Sequence, residues 1–201
     1  MKHIQTIIFD FDGTLADCKE LHQGAFRGAV ESVCPDALFT DEEIEGRPTR
    51  EKIRILHSKG YEFNGDKLNQ LKQAETQRHL DKYIKFDVNL FDLMLALNNS
   101  GIALAVASNA TELFVHRSLE ILQIKQFFYK INTATDFPAK PDPTTFFDAI
   151  EAAHSNVEST LIVEDSPVGI QCAKATGCSV LEVENASDTI VQIKDLFKIN
   201  T

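Results

Sequence analysis

The chain lacks several features that would assign it to a class at once. No apolar run in its 201 residues approaches the roughly 20 residues of a membrane span. The four cysteines, Cys18, Cys34, Cys172 and Cys178, form no C-x-x-C pair. That argues against a zinc or dithiol redox site and for reduced thiols, Cys172 in a helix and Cys178 beside a strand. Basic residues are in the minority: 20 Lys and Arg stand against 30 Asp and Glu, a formal net charge of −10. Such a surface repels nucleic acid and anionic membranes, so neither is an expected partner. There is no internal repeat and no low-complexity tract. Met1-Lys2-His3 leads straight into an apolar segment without a cleavage-site pattern, which points to a cytoplasmic protein. What the chain does have is a hydrophobic fraction of 43%, enough for one large domain or a domain with a smaller insert.

The most telling segment is Ile7-Ile8-Phe9-Asp10-Phe11-Asp12-Gly13-Thr14-Leu15. A short apolar run reads as a buried strand and ends in two aspartates one residue apart. Carboxylates so close repel each other and call for compensation, most simply by a hard divalent cation. Four further segments resemble this strand: Ile102–Ala107, Phe128–Ile131, Leu161–Val163 and Cys178–Val183. Helical periodicity lies between them, over about Thr111–Leu122, from Pro143, from Pro167 up to Gly177, and over Ala186–Phe197. Strands alternating with helices predict an α/β fold, a parallel sheet with helices on both faces. Asp142-Pro143 and Ser166-Pro167 each put a capping side chain before a proline at the first helical position. Gly177 is a C-terminal stop.

Residues 17–85 break the alternation. They hold no strand pattern, while Leu68, Leu71 and Glu75, and Ile53, Leu56 and His57, are spaced for helices. This predicts an all-helical insert after the first strand, with a loop at Gly46-Arg47-Pro48-Thr49 and a solvated helix start at Asp41-Glu42-Glu43. The division is then a core of residues 1–16 and 86–201 and a helical domain of residues 17–85.

Chemistry gathers where the strands end. Asp10 and Asp12 follow the first, Ser108 and Asn109 the second, Lys140 precedes the Pro143 helix, and Glu164-Asp165 follow Leu161–Val163. In an open α/β sheet these positions converge on one edge. Asp10, Asp12, Glu164 and Asp165 supply oxygen ligands suited to magnesium. Ser108, Asn109 and the N–H groups opening the next helix suit phosphate oxygens, and Lys140 adds a compact positive charge. Such a set is built for phosphoryl transfer to a carboxylate.

With these motifs in order, Asp10-Phe11-Asp12-Gly13-Thr14, Ser108-Asn109, Lys140-Pro141-Asp142-Pro143 and Glu164-Asp165-Ser166, the chain resembles the haloacid dehalogenase superfamily. Within it the Glu-Asp-Ser form and the insert position resemble the β-phosphoglucomutase and phosphoglycolate phosphatase branch. The resemblance implies a Rossmann-like core with a small helical cap inserted after the first strand. It implies a magnesium-dependent phosphatase acting on a small phosphorylated metabolite, a sugar phosphate or a phosphoglycolate-like compound. Asp10 would be the nucleophile and Asp12 the acid/base. Magnesium would sit on the Asp10 carboxylate, the Asp12 carbonyl and Asp165, with Glu164 beside it, and Ser108 and Lys140 would grip the phosphoryl group. The expected assembly is a monomer or weak homodimer.

The alternative within the branch is a β-phosphoglucomutase-type phosphomutase. Asp17, His22, Ala25 and Phe26 fall at mutase-like spacing, but Phe26 stands where the mutase pattern has tryptophan. The mutase's cap lysine has no counterpart near Thr76, with Lys72 the nearest. His22 is thus either a cap residue facing substrate or one packed on its helix. Arg47 and Arg50, flanking Pro48-Thr49, either meet the non-phosphate end of a substrate or are surface residues. A phospho-accepting signalling module or a binding protein on this fold is the remote alternative. A receiver domain of that kind lacks both the insert and the second aspartate.

Overall fold

The computed structural model describes residues 4–44 and 47–199, so Met1-Lys2-His3 and Gly46 of the expected loop lie outside the described residues. The chain divides into two compact units: the residues up to Asp17 together with those from Ile84 onward, and Cys18–Tyr83.

The first unit is built on five parallel strands, β1 (Thr6–Phe9), β2 (Ala103–Ala107), β3 (Phe128–Asn132), β4 (Thr160–Glu164) and β5 (Ser179–Glu182), in the order β3-β2-β1-β4-β5. Central parallel strands are covered on both faces, which is why β1 and β4 read as unbroken apolar runs. Every residue of these two strands is buried. Ile8, Ala105, Ala107 and Ile162 pack with Phe146, Ala149, Ile150, Cys172 and Ala173 into one core cluster. Their strand neighbours, among them Ile7, Phe9 and Val163, project by the pleat to the opposite face.

The strand order fixes where chemistry can sit. From central β1 the chain builds outward through β2 and β3, then returns to lay β4 on the other side of β1. Neighbouring strands whose connections leave in opposite directions open a crevice at their carboxyl ends. That switch point lies between β1 and β4, which run in register from Thr6 opposite Thr160 to Phe9 opposite Val163. The next residues on the two strands are Asp10 and Glu164.

Helices α6 (Glu112–Ile121), α7 (Thr144–Ala152), α8 (Pro167–Ala175) and α9 (Ala186–Phe197) follow the periodic segments. At α8 the Ser166 hydroxyl caps the helix by accepting from Gly169 N, with Pro167 in the first turn, and Gly177 closes it at φ +81°. At α7 the expected geometry shifts by one residue. Pro143 is the cap position rather than the first helical residue, and Asp142 accepts from Thr144 N at 2.9 Å from outside the helix. One helix of this unit, α5 (Val88–Asn99), belongs to none of the periodic segments read above; Asp87 caps it by accepting from Asn89 N and Leu90 N.

The second unit contains α1 (Lys19–Val33), α2 (Asp41–Ile44), α3 (Thr49–Ser58) and α4 (Gly65–Tyr83). Its core is Phe26, Ala29, Val30, Ile44, Leu56 and Leu68. The buried stripe of α4 is Leu68, Lys72, Thr76 and Leu80, while Leu71 and Glu75 are half-buried. Two of its four members are polar, so apolar spacing alone points to a face turned slightly aside. Asp41-Glu42-Glu43 does open a helix, where Glu43 accepts from Thr40 N and pairs with Lys59.

Candidate active site

Asp10 directly follows β1, and its N–H donates to Val163 O, so the β1–β4 ladder runs up to the carboxylate itself. The chain then turns sharply over Phe11, whose carbonyl accepts from Leu15 N and Ala16 N. Phe11 is fully buried edge-on against Phe114, so the acids on either side of it are set by a packed aromatic ring. Asp12 is half-buried on this turn.

Lys140 ties the strand ends together. Its ammonium donates to Asp10 Oδ1 at 2.6 Å and to Glu164 Oε1 at 2.5 Å, and lies 5.0 Å from the centroid of the Phe146 ring. All three charged groups are buried. Glu164 is engaged at both oxygens, because Oε2 accepts from the Ser166 N–H and hydroxyl at 3.1 Å each. Ser166 therefore caps α8 and holds Glu164 at once. Asp165 is half-buried and accepts from the Thr14 hydroxyl at 3.1 Å.

Two glycines are required by these carboxylates. A Cβ on Gly13, which sits at φ +95°, would lie 2.2 Å from Asp165 Oδ2. One on Gly169 would lie 1.9 Å from Glu164 Oε1. Both positions let backbone pass against an acid where no side chain fits.

Charge is unevenly matched here. Asp10, Glu164 and Asp165 offer carboxylate oxygens all within 4.8 Å of one another, with Lys140 against two of them. Burial lifts the Asp10 carboxyl to about 8 despite the pull of Lys140, with Glu164 and Asp165 adding to the rise. Burial and then Glu164 push Asp165 to about 6. Burial alone would lower Lys140, but Asp10 and Glu164 outweigh it and hold the ammonium above its ordinary value. A hard divalent cation would correct this imbalance, and the all-oxygen donor set fits magnesium.

Ser108 is buried after β2, its N–H donating to Asn132 O and its Oγ accepting from Ala110 N. The Asn109 side chain is engaged on the Lys140 main chain, with Oδ1 accepting from Lys140 N at 2.7 Å. The structure thus brings Asp10, Lys140, Glu164 and Asp165 into direct contact or near contact, with Ser108, Asn109 and Asp12 on the adjoining strand ends. The cap residues belong to the second unit. Arg47 is exposed and pairs with Glu51, Arg50 is exposed, and His22 Nδ1 lies 3.3 Å from Nζ of the buried Lys72. The sequence reading gave no site role to Thr14, Phe146 or Lys72. Thr14 and Phe146 lie in or beside the motifs, whereas Lys72, which the sequence marks only as the lysine nearest the mutase-like position, is buried on α4 beside His22.

Comparison with known proteins bears on the family and the fold. A family model described as haloacid dehalogenase-like hydrolase matches residues 7–183. The chain is 29% identical over 167 residues to pyrophosphatase PpaX of Oceanobacillus iheyensis, covering 81% of this chain and 75% of that protein. It is 26% identical over 179 residues to the phosphorylated carbohydrates phosphatase of Thermotoga maritima, covering 87% and 82%. The crystal structure of CbbY from Rhodobacter sphaeroides in complex with phosphate matches with a TM-score of 0.76 at 23% identity, covering 90% of this chain and 86% of that one. That last likeness is one of fold.

Proposed function

Because this chain belongs to the haloacid dehalogenase-like hydrolase family, we propose that it is a magnesium-dependent phosphatase of a small phosphorylated metabolite that works through a phosphoryl group carried on Asp10. The observation that carries this reading is the buried Lys140 ammonium between Asp10 and Glu164, with Asp165 alongside. An isolated acid cluster could be a simple ion site. A lysine fixed against the nucleophile Asp10 is what an anionic group transferred to that carboxylate requires. The names of the relatives, a pyrophosphatase and a carbohydrate-phosphate phosphatase, support the same class.

Each step is a task for one residue. An Asp10 oxygen attacks phosphorus as the bond to the leaving oxygen breaks, and Asp12 gives that oxygen a proton. Water then attacks the phosphoryl group and Asp12 takes its proton, releasing phosphate and restoring Asp10. Lys140 and Ser108 hold the non-reacting phosphoryl oxygens. Asp10, Asp165 and the Asp12 carbonyl would hold magnesium, with Glu164 beside them. The ion supplies Lewis-acid neutralisation of phosphoryl charge. In the cap, His22, Arg47 and Arg50 are the proposed contacts to the rest of the substrate. Among the described residues no helix is long and apolar enough to cross a membrane. A cytoplasmic monomer or weak dimer completes the reading.

The test is release of inorganic phosphate from a panel of sugar phosphates, phosphoglycolate and pyrophosphate, with magnesium and with chelator. Turnover is expected with magnesium, and Asp10→Asn is expected to lower it by several orders of magnitude. Activity near the native level in Asp10→Asn, or in chelator, refutes the mechanism. An isomerised sugar phosphate without net phosphate release refutes the phosphatase and leaves a mutase.

A further inference from the structure

We propose that Asn109 is a positioning residue that acts through Lys140 and is not itself a phosphate ligand. The inference rests on the reading of Lys140 as the lysine that grips the phosphoryl group. It goes beyond that reading by assigning the neighbour of Ser108 a different task from the one its sequence position suggests.

The geometry is that of a clamp on a peptide unit. Asn109 Oδ1 accepts from Lys140 N at 2.7 Å, and Nδ2 faces Lys140 O at 3.5 Å, the outer limit of a hydrogen bond. An amide side chain carries one acceptor and one donor group, so it can meet both the N–H and the C=O of one residue, as a neighbouring strand would. Lys140 needs such support. It lies in the long connection between β3 and α7, outside any helix or strand. The start of that connection is tied to the β2 end through Ala134 N to Ala110 O, and Phe137 N bonds within it to Thr133 O. At Lys140 itself the main-chain N–H is held by Asn109.

The demand on that main chain is strict. The ammonium must reach Asp10 at 2.6 Å and Glu164 at 2.5 Å from a flexible stem of four carbons. A displacement of about 1 Å at such a site is enough to cost about a hundredfold in rate. The acceptor atom of Asn109 also cannot serve phosphate, because phosphate oxygens need donors, and Nδ2 is turned to the Lys140 carbonyl.

The test combines a double-mutant cycle with amide exchange. Affinity for inorganic phosphate in the presence of magnesium is measured for the native chain, Asn109→Ala, Lys140→Ala and the double variant. Exchange of the Lys140 amide is measured in the native chain, Asn109→Ala and Asn109→Asp. Asn109→Ala is expected to weaken phosphate about tenfold, the loss of one part-buried hydrogen bond. In the Lys140→Ala background the same change is expected to cost less than about twofold, since residues acting through one another are not additive. The Lys140 amide should exchange about tenfold faster in Asn109→Ala and stay near native in Asn109→Asp, which keeps the acceptor. Equal losses of phosphate affinity in both backgrounds mean direct contact and overturn the proposal. Native exchange or native phosphate affinity in Asn109→Ala overturns it as well. If Lys140→Ala binds phosphate as the native chain does, the assignment of Lys140 fails instead, while the exchange data still decide whether the clamp exists.

Discussion

Replacing Gly169 with alanine should destabilise this protein, although the same change in an ordinary helix is favourable. Gly169 lies in the first turn of α8, where alanine gains about 1 kcal/mol of helix propensity over glycine. Against that gain stands the Glu164 carboxylate. A Cβ at position 169 would lie 1.9 Å from Glu164 Oε1, 2.1 Å from its Cδ and 2.3 Å from Oε2. A flexible side chain could swing aside, but this one is fully buried, with Oε1 on Lys140 and Oε2 on Ser166. Overpacking costs about 1–3 kcal/mol, and breaking a buried ion pair about 3–5 kcal/mol. The two costs share atoms and do not add fully, so a net loss of about 3 kcal/mol is expected, which for a chain of this size lowers Tm by about 10 °C. Phosphatase turnover should fall with it, because Lys140 loses one of its two carboxylates. Gly24 and Gly28 in α1 are the controls. A Cβ at either meets nothing within 4 Å, so alanine there should raise stability by about 0.5–1 kcal/mol. Thermal denaturation of the three variants decides the matter. A Gly169→Ala protein as stable and as active as the native chain would refute the view that Glu164 is pinned.

Ser166→Ala removes the α8 cap and one donor to Glu164 together, so denaturant titration should show a loss of about 2 kcal/mol, more than a surface cap alone. Thr14→Val removes a hydrogen bond that favours the ionised Asp165, so magnesium affinity measured by calorimetry should weaken by about tenfold; an unchanged affinity would place the ion elsewhere. The metal-free protein should lose stability as pH rises from about 4 to 6. Asp165 titrates near 6 when folded and near its ordinary value of 3.8 when unfolded, so the fold holds the extra proton and that advantage vanishes as both states ionise. Thermal melts in chelator across this range should show the trend, and Asp165→Asn should remove part of it; a variant with the full native trend would show that Asp165 is not its source.

The core was legible because central parallel strands are buried on both faces and so appear as apolar runs, and because each run here stops at a residue with chemistry. Asp10 and Glu164 could be placed on one sheet edge from that pattern alone. Helix α5 was not, although Leu90, Leu93, Met94 and Leu97 are all buried, because it follows the insert directly and no strand separates the two. The buried face of α4 was read slightly out of phase for a different reason. Apolar spacing finds Leu68 and Leu71, while the structure buries Lys72 and Thr76, and polarity gives no hint of burial when a partner supplies the compensation. Lys72 beside His22 is one such case.

Which atoms meet at the site was less legible than which residues do. Lys140 and Glu164 are separated in the chain by α7 and most of β4, and nothing in that spacing says that one ammonium bridges two carboxylates. That bridge changes the account of the metal site. Glu164 reads in sequence as an equal partner of Asp165, yet both its oxygens already accept hydrogen bonds from Lys140 and Ser166, whereas Asp165 accepts from the Thr14 hydroxyl and a backbone N–H. Magnesium bound as proposed would sit on the Asp10 and Asp165 carboxylates, with Glu164 turned to Lys140 and Ser166. Lys140 and such an ion would both supply positive charge to a phosphoryl group carried on Asp10. The switch point between β1 and β4 puts Asp10 and Glu164 on adjacent strand ends, where the Lys140 ammonium reaches both.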